Sequence, residues 1–410
     1  MSISALKRFV ADYAFRNQAH QTEDIVFPQN NKHVSVIGAG PAGLTCAYYL
    51  ARLGYQVDVY DNHPLAGGTL AYGIPDYRLP NDVLQREIDM MRRSGFHIHL
   101  NTTIGKNIAF DNLRVTSDAV FIAIGTQLPQ KLNIAGEEID GVLPGIDFLK
   151  AVKMYNSMDF TGMRVVVIGG GNTAIDSARK AIRLGAVVVK ILYRRTRDIM
   201  PAFDIEIDEA LEEGVQLVEL VSPTRFIAGV DGKLQQVACV HRCILDFDNR
   251  GRRNTAHIEG TNFLMDVDYA IVAASQYADL PFIHKADIGL TPWGTFTVDK
   301  KTLMTTMRGV FAGGDIVRGP DDVIRAIADG KRAVSSIDQF LGGSGKLNKG
   351  RKIDIPDTFD ADDEVIMHKR FPQEFLPLEE RTHNFAEVNL GYHKLNAIAE
   401  AMRCLHCERR

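Results

Sequence analysis

Two glycine-rich turns, from Gly38 to Gly169 a separation of 131 residues, constrain this chain more than any other feature. The first lies in HVSVIGAGPAGLTCAYYLARLGYQVDVYD, the second in MRVVVIGGGNTAIDSARKAIRLGAVVVKILYRR. In each, an apolar strand (Val34, Val36 and Ile37; Val165 to Ile168) runs into the glycines, and a helical pattern and a second strand follow. The first glycine of such a frame permits the tight turn and the second lets the backbone approach a pyrophosphate. The third position lets helix and strand pack closely, and the helix N-terminus stabilises phosphate charge. Those positions are Gly38, Gly40 and Gly43 in the first copy, and Gly169, Gly171 and Ala174 in the second. A lone G-x-G-x-x-G is weak evidence. Two copies, each framed by strand and helix, predict two dinucleotide-binding units and electron passage between their ligands.

The ends of the second strands differ. VDVYD ends at Asp61, whose carboxylate accepts from ribose hydroxyls and repels an added phosphate. VKILYRRTR ends in Arg194 and Arg195, with Arg197 close by. Guanidinium groups there suit a 2′-phosphate through bidentate bonds. The first unit is thus expected to hold a dinucleotide with a free ribose, and the second NADP(H). The alternative for Arg194 and Arg195 is a solvated charged loop, which leaves NAD(H) open.

Three further stretches fit a flavin in the first unit. GGTLAYGIPDYRLP is glycine-rich with little charge, and Gly67 and Gly68 permit close approach to a flat ring. DAVFIAIGT is an apolar strand closed by Gly125, a lid on the dinucleotide. GVFAGGDIV ends a strand at Gly314 and Asp315; Asp315 can accept from ribityl hydroxyls, and a helix beginning near Pro320 can point its N-terminus at the flavin. The alternative role for Asp315 is a helix N-cap.

Length bounds the chain to about two or three domains. The first 31 residues read as a short helix (Leu6, Phe9, Val10, Tyr13) and a polar connector. An FAD-binding domain is expected over 32–150 plus 300–341, with an inserted NAD(P)H-binding domain over 151–299. Turn signals and alternating segments between 222 and 270 predict a β-meander inside the second unit. Residues 342–410 read as a flexible linker, a charged tail and a helix running to the C-terminus. The fold class is therefore α/β, with two Rossmann-like domains, a helical N-terminus and an extended C-terminal tail. A net charge of −4 provides no general affinity for nucleic acid or anionic membrane. No apolar run approaches the roughly 18–20 residues that span a bilayer, and the N-terminus lacks the features of a signal peptide. Five cysteines in a chain this long do not form a disulfide framework, and a cytoplasmic location is expected.

The ordered set VSVIGAGPAGLTCAYYLARLGY, GGTLAYGIPDYRLP, VVVIGGGNTAIDSARKAIRLGA, LYRRT and GVFAGGDI resembles the small-subunit family of glutamate synthase and the related flavoprotein subunits of NAD(P)H:ferredoxin oxidoreductases. The resemblance covers essentially the whole chain. It implies FAD in the first unit, NAD(P)H in the second, hydride transfer between them, and one-electron delivery to an iron–sulfur or ferredoxin-like subunit of a hetero-oligomer. The residues expected around FAD are Gly38, Gly40, Pro41, Ala42, Gly43 and Asp61, then Gly68, Thr69, Leu70 and Arg78, then Ile104, Ala123, Gly125, Gly314, Asp315 and Val323. Around NAD(P)H they are Gly169, Gly170, Gly171, Asn172, Thr173, Arg194 and Arg195.

The chain departs from fuller members, which carry a cysteine-rich helical domain binding [4Fe–4S] clusters. Only Cys404 and Cys407 stand at C-x₂-C spacing, in what looks like the opening of a cluster-binding segment. A cubane cluster needs four thiolates. The pair is a cluster site shared with a partner, a vestige, or a redox dithiol. Cys46, Cys239 and Cys243 read as core packing. Two other functions share the plan: a thioredoxin-reductase-like disulfide reductase, which would need the Cys404/Cys407 tail, and a non-catalytic assembly subunit holding FAD structurally.

Overall fold

The computed structural model describes residues 1–17, 28–155, 158–247, 253–280, 282–283, 288–347 and 369–404. A helix α1 (Ile3–Arg16) precedes the first βαβ unit: β1 (His33–Ile37), α2 (Pro41–Arg52) and β2 (Gln56–Tyr60). After α3 (Thr69–Tyr72) and α4 (Asn81–Arg92) come β3 (His97–His99), α5 (Phe110–Thr116) and β4 (Ala119–Ile122). A short β5 (Leu128–Pro129) leads into β6 (Val142–Pro144) and α6 (Gly145–Tyr155), then the second unit: β7 (Arg164–Ile168), α7 (Asn172–Arg183) and β8 (Val188–Tyr193). Next are α8 (Asp204–Glu212), β9 (Gln216–Glu219), β10 (Val221–Ala228), β11 (Leu234–Phe247), β12 (Arg253–His257), β13 (Phe263–Asp266) and β14 (Tyr269–Val272). The chain returns through β15 (Gln276–Tyr277) to β16 (Val310–Ala312), α9 (Asp315–Arg318) and α10 (Val323–Phe340).

Two five-stranded parallel sheets result, in the orders β16-β4-β1-β2-β3 and β6-β14-β7-β8-β9. Each glycine turn leaves the strand at the centre of its sheet (β1 or β7). The central strands are buried on both faces after their first residue, and both are apolar there except for the fully buried Ser35 of β1. In the first unit α2 is covered by α10, and a methyl at Gly330 of α10 would lie 2.5 Å from the Ala42 carbonyl oxygen, so the pair packs backbone to backbone. The antiparallel strands β10, β11 and β12 form the expected meander, and β13 returns to pair with the first half of β11.

Sheet membership moves the crossing points between units. The expected boundaries were 150 and 300, yet β6 pairs with β14 in the second sheet, so that unit already includes residues 142–155. Ile288 and Phe296 pack instead with Ile37 and Ile104 in the first. The two crossings, β5 and β15, pair with each other as a two-stranded ribbon. Strand β6 is only three residues long and half-buried, too short to show a period of two.

The terminal regions, expected as separate segments, meet. Ala5 of α1 packs with Tyr392 and with Ala397 of a helix spanning Lys394–Met402. The buried Glu400 carboxylate accepts from the Ser2 and Phe371 backbone N–H groups, at 2.6 and 2.9 Å. Of the residues that mark α1 by their spacing, Val10 and Tyr13 are exposed. The C-terminal helix stops at Met402, two residues before Cys404, and does not run on to the chain end. The expected linker beyond 347, the charged tail and Cys407 lie outside the described residues. No helix among the described residues is long and apolar enough to cross a membrane.

Candidate functional site

Both glycine turns open into one cleft of about 2210 Å³, lined by residues of both units. That exceeds the roughly 300–1,000 Å³ of a site for one small ligand. Of the residues expected around either dinucleotide, all but Gly43 line it.

The two turns are built alike. Gly38 and Gly169 have φ of +105° and +145°, and a methyl on either would strike the backbone oxygen of a neighbouring segment, Ala123 at 2.5 Å and Ala273 at 2.3 Å. Gly43 faces inward: its added Cβ would lie 1.9 Å from the Gly38 oxygen. Gly40 and Gly171 are the open positions, where the nearest atoms to a methyl would be Gly68 Cα and Pro201 Cγ, both at 3.9 Å. Each caps its helix with no side-chain bond, so the first N–H groups of α2 and α7 face the cleft without a side-chain partner. Such N-termini favour an anion.

In the first unit, Asp61 follows β2 and is buried beside the turn. Its carboxylate accepts from Ala39 N–H at 2.7 Å and His63 N–H at 2.9 Å, which ties β2 to the glycine loop. Two carboxylate oxygens offer about four acceptor positions, so others remain for a ribose. Thr126, after β4, is missing from the expected set; its buried Oγ1 lines the cleft with no protein partner. Asp315 opens α9 behind Gly314, so it is not a cap. Burial, reinforced by the charges of Asp321, Asp322 and Asp329, pushes its carboxyl up to about 7. The long helix begins at Val323, not near Pro320, and its cap is Asp322, which accepts from Arg325 N–H at 2.9 Å. Val323 and Ile324 bring that N-terminus to the cleft.

The raised Asp315 group has a signed consequence. A carboxyl that binds its proton more tightly when folded contributes stability at low pH, lost as pH rises through about 7. Asp315→Asn, which mimics the neutral form, is therefore expected to melt above the wild type at pH 8, by a margin that shrinks as pH falls and closes only near the ordinary aspartate value of about 3.9. Thermal melts across that range check it; a lower melting point at pH 8 contradicts it.

Arg78 has a second, structural role. It lines the cleft, but its guanidinium is held by Asp176 of α7 and Glu206 of α8, each at 2.9 Å. It clamps the first unit to the second at the wall of the cleft. Beside it Tyr77 is fully buried, with the Arg183 and Arg179 guanidinium carbons 3.9 and 4.8 Å from its ring centre. Arg179 in turn binds Glu206, Glu209 and Glu213. The motif around Tyr77 carries no trace of these partners, which lie about a hundred residues away in sequence. The terminal segment reinforces the same seam: Val388 N–H donates to the Tyr77 oxygen, and Arg381 pairs with Glu212.

In the second unit Asn172 accepts from Phe203 N–H at 3.2 Å, holding the start of α7 to the loop before α8. Arg194 and Arg195 reach the cleft, whereas Arg197 pairs with Asp208 and does not line it. The sequence reading missed Arg242 and Arg253, which the meander brings to the same place.

The cysteines divide. Cys46 and Cys239 are buried, and burial raises both thiols, Cys239 to about 12. Cys239 and Cys243 lie four residues apart along β11, about 13 Å at the usual strand rise, too far for a disulfide. Among the described residues no three His, Cys, Asp or Glu side chains converge to hold a metal.

Residues 32–330 match the family model described as pyridine nucleotide-disulphide oxidoreductase. The whole chain is 38% identical to part of the NADP(+)-dependent formate dehydrogenase subunit beta of Moorella thermoacetica, covering 62% of that protein. It is 37% identical to the NADPH-Fe(3+) oxidoreductase subunit beta of Geobacter sulfurreducens, covering 66% of it. The chain thus spans about two thirds of these relatives' length. A putative glutamate synthase small chain of Cereibacter sphaeroides is 38% identical over 83% of this chain and 84% of its own. Among solved structures, FprA of Mycobacterium tuberculosis in complex with NADPH shares the fold at TM-score 0.66 and 19% identity, over 77% of this chain and 85% of that one. The chain belongs to the glutamate synthase small-chain family of pyridine nucleotide-disulphide oxidoreductases.

Proposed function

We propose that this chain is an electron-entry module that binds FAD on the first sheet and NADP(H) on the second, and delivers electrons to an iron–sulfur partner. The observation that supports it most is the shared cleft, into which both glycine turns and both uncapped helix N-termini open. The donor set fits FAD: an open Gly40 beside Gly68, an unpartnered Thr126 hydroxyl, a buried Asp315 and the N-terminus of α10. Gly171 and the arginines beyond β8 fit a phosphorylated dinucleotide.

Bound there, the nicotinamide and flavin rings supply hydride transfer and the change from two-electron to one-electron steps. The protein's part is position and electrostatics. Asp61 holds the first phosphate loop in shape through Ala39 and would keep a ribose edge in register. Asp315, with its carboxyl raised to about 7, is partly protonated near neutral pH, and its protonated form can donate a hydrogen bond as well as accept one. Arg78, Asp176 and Glu206 hold the two units at one separation, so that the rings could meet.

The names of the longer relatives, NADP-dependent formate dehydrogenase and NADPH-Fe(3+) oxidoreductase beta subunits, support NADP(H) and a larger assembly. Cys404 with Cys407 is the proposed contact to a cluster-bearing partner; Cys407 lies outside the described residues. The disulfide-reductase reading is less supported, because neither nucleotide unit holds two thiols that can pair.

Anaerobic titration of the FAD-loaded chain with NADPH tests the proposal. Stoichiometric bleaching of the visible flavin band is expected. A flavin that binds but is not bleached would favour a structural role, and a chain that takes up no FAD would sink the proposal.

A further inference from the structure

The meander is the part of the second unit that a dinucleotide fold does not require, yet it reaches the cleft. Strand β11 carries Arg242 and β12 carries Arg253 to the edge where β8 ends in Arg194 and Arg195. The four are tied together through backbone. Arg195 Nε donates to the Arg253 carbonyl oxygen at 2.8 Å. Leu220 N–H donates to the Arg195 oxygen at 3.2 Å, and the Leu220 oxygen accepts from Arg242 N–H at 2.7 Å. Leu220 sits at φ +55°, a left-handed backbone rare for a branched side chain, at the junction of the two arginine-bearing segments.

Arg242 is half-buried and aimed. Its guanidinium donates to Thr255 Oγ1 at 2.8 Å, the Thr255 carbonyl at 2.7 Å and Ser222 Oγ at 3.4 Å. All of these acceptors are neutral. Among the described residues no carboxylate forms a salt bridge with Arg195, Arg242 or Arg253. This contrasts with Arg78, Arg179, Arg183 and Arg197, each of which is paired with acid. Burial, and then the charges of Arg194 and Arg195, make Arg242 a weaker base than an ordinary guanidinium. Among the described residues, holding the like charges of Arg195, Arg242 and Arg253 together without a salt bridge costs free energy in the empty protein, which a dianion would offset.

Resting on the function proposed above, we infer that the meander is a specificity element: Arg242, with Arg253, completes a 2′-phosphate pocket begun by Arg194 and Arg195, and makes the chain prefer NADP(H) to NAD(H). The nucleotide fingerprint predicts only the first pair; the second comes from the insertion.

The test uses Arg242→Met and Arg253→Gln in the full chain. Two readouts are taken: calorimetric binding of 2′,5′-ADP against 5′-AMP, which needs no flavin, and kcat/KM for NADPH against NADH with ferricyanide. Arg242→Met is expected to weaken 2′,5′-ADP about 10- to 100-fold, the scale of losing a hydrogen bond to a charged group. The 5′-AMP affinity and the NADH rate are expected to change less than about threefold. Arg253→Gln, on an exposed strand edge, is expected to give a smaller loss of the same sign without threatening the fold. Equal losses for both nucleotides, or no loss in either variant, would overturn the inference. If NADPH fails to bleach the flavin while 2′,5′-ADP still discriminates wild type from Arg242→Met, the electron-transfer reading fails and the pocket stands. If wild type binds 2′,5′-ADP no tighter than 5′-AMP, the pocket fails and the flavoprotein reading stands.

Discussion

Gly43→Ala is expected to yield a chain that neither binds FAD nor folds stably, whereas Gly40→Ala, three residues earlier, is expected to fold normally and lose only the dinucleotide. Both glycines belong to one fingerprint, so sequence alone treats them as equals. In the structure a methyl at Gly43 would lie 1.9 Å from the Gly38 oxygen and 3.2 Å from a Val36 methyl. The turn has little room to retreat, because Ile37 before it is hydrogen-bonded to Ala123 N–H at 2.8 Å and an added Cβ on Gly38 would already strike the Ala123 oxygen. Overpacking of this kind costs about 1–3 kcal/mol where side chains can adjust, and more where the obstacle is backbone. A methyl at Gly40 meets no protein atom closer than 3.9 Å. It projects into the space proposed for a pyrophosphate, and a loss of FAD affinity on the order of 100-fold is expected from the hydrogen bonds displaced. Melting without added FAD separates the two, because Gly40→Ala is expected to match the wild type there. Equal destabilisation by both would contradict this assignment of the glycines.

The second large effect is expected at Glu213. Its carboxylate is completely buried and accepts from Arg179 at 2.7 and 2.9 Å and from Arg183 at 2.7 and 2.8 Å. Glu213→Gln leaves two buried guanidinium groups facing a neutral amide. Removing one partner of a buried ion pair costs about 3–5 kcal/mol, and a melting point lower by on the order of 10 °C is expected. The pH dependence has the ordinary sign. Burial alone would raise the Glu213 carboxyl, but bonds from Arg183 and Arg179 outweigh it and hold it below the usual range. Its stabilisation is therefore present above the usual glutamate range near 4.3 and is lost as pH falls through the lower folded value. The gap between wild type and Glu213→Gln is expected to close on acidification. Asp208→Asn, which breaks the exposed pair with Arg197, is the control and is expected to cost under about 1 kcal/mol.

These two sites differ in how far they can be read from sequence. The glycine turns were legible because their constraints are local: a positive φ, a strand before and a helix after. The same holds for Asp61, Asp315 and the alternating strands of the meander. Glu213, Arg179 and Tyr77 were not legible, because buried charges look like surface charges until their partners are known. Arg78 shows what local sequence leaves out. It stands in a glycine-rich loop beside the proposed flavin, and proximity in sequence suggested a ligand contact, but Asp176 and Glu206 occupy its guanidinium. Arg197 was drawn into the phosphate site for the same reason and is paired elsewhere, with Asp208.

The sequence by itself determined two parallel α/β units, their order, and the glycine turn that opens each. Those follow from backbone conformation and from side-chain periodicity within about thirty residues, which short-range sterics enforce. Only the tertiary structure decided where the chain passes between units, that both turns share one cleft, that a buried ionic seam holds the units together, and that the meander adds Arg242 and Arg253 to one end of that cleft. Each of these depends on contacts between distant segments. The energy of a charge is set by what surrounds it, and no local pattern of residues records those surroundings.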